Sequence, residues 1–123
     1  MKIRSHEDLE VFKEGFDSAM QILEITKAFP SEERYSMTDQ MRRSSRSVCA
    51  NIAEAFRKRR YAKSFVSKLN DAEAEAAETQ TWLEFAASCG YARRELITEI
   101  KAKYNRVIGR LVTMSNQPES WSV

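Results

Sequence analysis

Apolar residues recur in alternating steps of three and four along four separate stretches of the chain, and that spacing dictates what it can fold into. Side chains three and four apart share one face of an α-helix, whereas a half-buried strand needs a period of two. The first stripe, Leu9, Phe12, Phe16, Ala19 and Leu23, is cut off by Phe29-Pro30-Ser31, where proline cannot continue a helix. The second is Met41, Ser45, Val48, Ile52 and Ala55. The third runs through Phe65, Leu69, Ala72, Ala76, Thr79, Leu83 and Ala86, and the fourth through Ile97, Ile100, Tyr104, Val107, Leu111 and Met114.

These stripes predict helices over residues 6–28, 37–58, 62–89 and 92–114, with a loose tail over 115–123. Ser5 with Asp8, and Ser36 with Asp39, have the spacing of capping boxes. Gly90 is a natural left-handed terminator, and a tight break is expected in the basic run from Arg59 to Ala62. With 42% apolar residues but only three glycines and two prolines in 123 residues, strands are not expected. The fold class that follows is all-α: one domain, 1–123, an antiparallel up-down-up-down four-helix bundle. Small residues on the second helix (Ser44, Ser45, Ser47, Ala50 and Ala53) would let a neighbouring helix approach closely.

The residue inventory argues against an enzyme. A di-iron bundle needs Glu-x-x-His pairs, yet the single histidine, His6, sits at the very start of the first helix. There is no glycine-rich phosphate loop, and no cofactor or metal is expected. Glu54, Glu73 and Glu78 are read as surface or ion-paired carboxylates. Cys49 and Cys89, forty residues apart, match neither a redox pair nor a zinc half-site and are read as buried thiols. Gln40 and Asn51 flank the second stripe and are read as structural amides. The charged start from Met1 to Asp8 lacks the apolar run of a signal peptide, and no window reaches the about 20 apolar residues of a membrane span. A cytoplasmic protein with no membrane role and no small-molecule substrate is expected.

Charge is distributed unevenly. Between Arg42 and Lys63 lie eight basic residues and one acid, Glu54, a local charge of +7. The remaining twelve bases and seventeen acids leave −5, for a net charge of +2. If the second and third helices are antiparallel, Arg46 lies level with Glu73, and Arg42 and Arg43 lie near Glu75 and Glu78. Ion pairs then compete with phosphate contact as the role of these three arginines. Arg57, Lys58, Arg59, Arg60 and Lys63 have only Glu54 nearby, so they form either a solvated tip or a nucleic-acid-binding patch. Tyr61 and Phe65 lie among them as aromatic faces on which bases could stack, although Phe65 also falls on the core stripe. Val11, Ile25, Trp82, Phe85 and Val112 fall off the stripes, an apolar surplus expected at a subunit interface.

One segment carries a resemblance. Phe29-Pro30 with Glu33 and Tyr35, then Gln40-Met41-Arg42-Arg43-Ser44, Ser47-Val48 and Asn51-Ile52-Ala53-Glu54, together with the opening Leu9-Glu10-Val11-Phe12, resemble the four-helix bundle proteins encoded in intervening sequences of bacterial 23S ribosomal RNA genes. That pattern usually continues with glycine after the glutamate, where this chain has Ala55-Phe56, so the second helix is expected to run on. The resemblance implies a homopentameric bundle without enzymatic activity. It also implies kinship with the accessory proteins of diversity-generating retroelements, basic pentamers that bind nucleic acid and a reverse transcriptase. Charge and resemblance together give the expected function: a homo-oligomer, of five subunits, that binds RNA or a ribonucleoprotein partner. The alternative is a protein-protein interaction scaffold with no nucleic-acid role.

Overall fold

Four helices make up the regular structure of the chain in a computed structural model, which describes residues 2–122: α1 Glu10–Thr26, α2 Met37–Arg57, α3 Ala62–Ser88 and α4 Arg94–Asn116. Among the described residues there is no strand, only three short 3₁₀ turns at His6–Asp8, Ser31–Glu33 and Pro118–Ser120. Helix α1 packs on α2 and α4, α2 on α3, and α3 on α4, and the α2–α3 seam is the most extensive. This closed ring of sequential neighbours is the up-down-up-down bundle that the spacing predicts.

Element ends follow local chemistry. The Ser5–Asp8 capping box is present, but it closes the 3₁₀ turn, and α1 itself starts at Glu10. The second box does not form, because the Ser36 hydroxyl donates to the Glu33 carboxylate at 2.6 Å; the same carboxylate, not Ser36 or Asp39, accepts from the Met37 amide at 3.4 Å at the start of α2. Helix α2 continues through Ala55 and Phe56 to Arg57, as expected where glycine is missing. Gly90 ends α3 at φ 75°; its N–H donates to the Ala87 carbonyl while that of Tyr91 donates to Ala86, which closes a Schellman motif.

The stripes of α2, α3 and α4 are buried as spaced. At the α2–α3 seam, Ser44 and Thr79 are fully buried and their hydroxyls lie 2.7 Å apart, beside the alanines Ala72 and Ala76. Tyr104 is fully buried in the core, and its hydroxyl has no hydrogen-bond partner among the described residues.

Helix α1 departs from expectation by a rotation about its axis. Its buried face is Val11, Gly15, Ser18, Ile22 and Thr26, so Phe16 stands 53% exposed and Val11, expected at a subunit interface, is 3% exposed in the core. That face packs on α2 at Gly15, where a Cβ would meet the Cys49 sulfur at 3.5 Å, an ordinary contact distance. The Ser18 and Thr26 hydroxyls tolerate burial because each donates to the carbonyl four residues back, at 2.8 and 2.7 Å. The tail is also more ordered than expected: it turns at Pro118–Ser120, and Trp121 packs partly buried against the core.

Candidate nucleic-acid interface

The C-terminal end of α2, the turn after it and the first residues of α3 form a tip at one end of the bundle. The Lys58 N–H donates to the Glu54 and Ala55 carbonyls and the Tyr61 N–H to Lys58, so the chain reverses within a few residues. Arg57, Lys58, Arg60 and Lys63 are exposed there. Arg59 is half-buried: its guanidinium lies 3.9 Å above the Phe56 ring centroid and donates to the Phe56 carbonyl at 2.8 Å. Cations at the carboxyl end of α2 complement the helix dipole, which stabilises them without neutralising their charge.

Among the described residues none of these five cations pairs with a carboxylate. Glu54, the one nearby acid, faces Lys68 at 3.4 Å. Tyr61 is 62% exposed among the charges, whereas Phe65 is sealed in the core and offers no face to a base.

The three arginines further up α2 go separate ways. Arg43 alone finds the expected acids, at 3.1 Å from Glu75 and in contact with Glu78. Trp82 and Arg43 both donate to Glu78 and hold its carboxyl below the usual carboxylate range. Arg42 does not reach Glu75 or Glu78; its Nε donates to the Thr26 hydroxyl of α1 at 2.9 Å. Arg46 makes no ion pair with Glu73, and burial pushes the Glu73 carboxyl up. From Arg42 to Arg57 is about 22 Å along the helix axis, so the basic hairpin is not one patch but a tip plus scattered arginines. Spacing also missed Arg110, exposed near the end of α4, which the topology brings to the tip's end of the bundle. There the tail's Pro118 lines a shallow pocket with Lys63.

Of the residues expected at a subunit interface, Phe85 and Val112 are exposed, while Ile25 and Trp82 are half-buried against the core. The rotation of α1 exposes a different ridge. Phe16 and Met20, 53% and 45% exposed, line a groove with Phe12, Leu23 and the small residues Ala50 and Ala53 of α2.

Among the described residues no three His, Cys, Asp or Glu side chains are grouped to hold a metal ion, and no helix is long and apolar enough to cross a membrane. Cys49 is buried, which pushes its thiol up to about 11. Cys89, expected to be buried, is exposed, because it follows the last turn of α3. Asn51 donates to the Ser47 carbonyl and hydroxyl, and Gln40 accepts from Arg43.

Comparison with known proteins gives a consistent picture. Residues 7–113 match the profile of the family described as 23S rRNA-intervening sequence protein. A crystal structure of a protein of unknown function from the S23 ribosomal protein family of Bacteroides thetaiotaomicron superposes with a TM-score of 0.77 at 31% sequence identity, covering 86% of this chain and 95% of that one. No curated protein matches the chain.

Proposed function

This chain belongs to the 23S rRNA-intervening sequence protein family, and from that scaffold we propose a non-enzymatic, cytoplasmic homo-oligomer, a pentamer, that binds RNA or a ribonucleoprotein partner through its cationic tip. The observation that carries this is the set of five cations, Arg57, Lys58, Arg59, Arg60 and Lys63, gathered at one end without a carboxylate partner among the described residues. Packed together they repel one another, and a phosphate chain relieves that repulsion while releasing its own counterions.

Self-association sets the magnitude. Five copies in a ring would present about 25 basic side chains on one rim, so that weak contacts at each protomer act together. The ridge of Phe12, Phe16, Met20 and Leu23 is the surface we assign to contact with the neighbouring copy, because it is apolar, continuous and backed by small residues that permit close approach. That ridge would equally serve a scaffold with no nucleic-acid role, which would leave the tip as a solubilising feature.

Light scattering of the native particle at low salt, read together with absorbance at 260 nm, tests this. A mass of several protomers with excess absorbance at 260 nm is expected. A monomer with a pure protein spectrum and no affinity for added RNA would overturn it.

A further inference from the structure

At the end of the bundle opposite the tip, the end of α1, the connecting segment and the start of α2 enclose a pocket of about 440 Å³. Its wall carries three cations, Lys27, Arg34 and Arg42, and three hydroxyls, of Thr26, Ser31 and Thr38, and no carboxylate lines it. Nothing in the proposed role of the tip uses this place.

Three independent features of the pocket suit an anion. Arg42 is oriented from one side, since its Nε donates to Thr26 Oγ1 at 2.9 Å and that hydroxyl is in turn committed to the Ile22 carbonyl. The terminal nitrogens of Arg42, and the exposed Arg34, have no carboxylate partner among the described residues.

Thr38 is 7% exposed, lines the pocket, and its hydroxyl makes no hydrogen bond among the described residues. The residue is buried, yet its hydroxyl is not sealed off: it is reached from the pocket and is free to bond a ligand there.

The third feature is the start of α2. Its cap residue Ser36 spends its hydroxyl on Glu33, and the backbone N–H groups of Thr38 and Asp39 have no acceptor among the described residues. Open amides at the start of a 21-residue helix attract negative charge.

The neighbouring acids take only part of the site. Glu33 accepts from Ser36, from the Tyr91 hydroxyl at 2.9 Å and, at 3.4 Å, from the Met37 amide, which leaves the amides of Thr38 and Asp39; Glu24 pairs with Lys27 in the open at 2.8 Å, and Asp39 is exposed on the first turn without lining the pocket.

We propose that this pocket is a second anion site, distinct from the tip, that takes a phosphate group between Arg34, Arg42, the Thr38 hydroxyl and the first amides of α2. Its volume exceeds that of a phosphate ion, and Phe29 and Pro30 supply an apolar wall for the remainder of a small phosphate ester.

The test uses the isotope-labelled full chain and two probes at constant ionic strength, inorganic phosphate and a nucleoside monophosphate, with chloride as the control. Saturating shifts of the Thr38 and Asp39 amide resonances are expected with phosphate-bearing probes and not with chloride. Tighter binding of the ester than of the ion assigns the site to small phosphate esters, and equal binding assigns it to the free ion.

Arg34→Gln, at an exposed side chain without a hydrogen bond or ion pair among the described residues, and the isosteric Thr38→Val should each weaken binding about tenfold. The variant with all five tip cations changed to glutamine should bind like the native chain. No saturating shift with either probe, or undiminished binding in both pocket variants, would overturn the proposal.

Discussion

Glu54 on α2 faces Lys68 on α3 at 3.4 Å, and Lys68 is shared with Asp71 at 3.6 Å. The one acid in the basic hairpin is thereby turned along the α2–α3 seam and away from the tip. Had Glu54 instead met Arg57 or Lys58, one charge of the cluster would be cancelled within the protomer, and the tip would present less to a polyanion.

The same seam places the tip, because it sets how closely α2 approaches α3. Ser44→Ala removes one hydroxyl from the buried pair but leaves Thr79 donating to the Glu75 carbonyl at 2.9 Å, so a loss of about 1 kcal/mol is expected. Ser44→Leu adds volume against sealed alanines and should cost about 1–3 kcal/mol more. Urea denaturation followed by circular dichroism reads both values, and a leucine variant as stable as the native chain would contradict close packing here.

The Tyr104 hydroxyl is buried without a partner, and burial holds its pKa far above the usual phenol range. Tyr104→Phe removes the unsatisfied group and keeps the ring, so stability should rise by about 1 kcal/mol. A decrease on chemical denaturation would show that the hydroxyl is satisfied after all.

Much of this was legible in the sequence, and the misses have physical causes. Stripes on α2, α3 and α4 are read correctly because their large residues and their buried face coincide. On α1 they do not: the bulkiest stripe, with Phe12 and Phe16, competes with one built from Val11, Gly15, Ser18, Ile22 and Thr26, and it is the second, with fewer large residues, that is buried. Hydroxyls that bond their own helix behave as apolar side chains, a signal that hydropathy spacing does not weigh. The tip was visible because its charges are contiguous. The pocket at the far end was not, since Thr26, Arg34, Thr38 and Arg42 belong to separate elements that only the fold brings together.

The two cysteines differ enough to be told apart chemically. Iodoacetamide under native, mildly alkaline conditions should modify exposed Cys89 and spare Cys49, whose burial raises its thiol to about 11 and keeps it protonated. Peptide mass mapping reads the pattern. Equal modification of both would contradict the packing of Gly15 on Cys49.

Acid should loosen the α3–α4 seam. Glu84 accepts from Arg94 at 2.8 Å and Lys101 at 3.1 Å, which lowers its carboxyl from the ordinary 4.5 to about 2. A folded-state pKa below the unfolded one means that this stabilisation is complete above pH 4.5 and is lost as pH falls toward 2. The melting temperature of the native chain should therefore drop more steeply across that window than that of Glu84→Gln. Parallel curves would contradict it.

The central claim is that uncompensated charge at the tip, multiplied by self-association, is what engages a polyanion. Its most direct test is the affinity for a structured RNA measured from about 50 to about 200 mM salt, for the native chain and for the variant with Arg57, Lys58, Arg59, Arg60 and Lys63 changed to glutamine. The native protein should lose affinity with a log-log slope of about −0.7 to −0.9 per phosphate contacted, and the variant should bind more weakly with a shallower slope. Identical slopes and affinities for the two proteins, or negligible binding by both at every salt concentration, would contradict it.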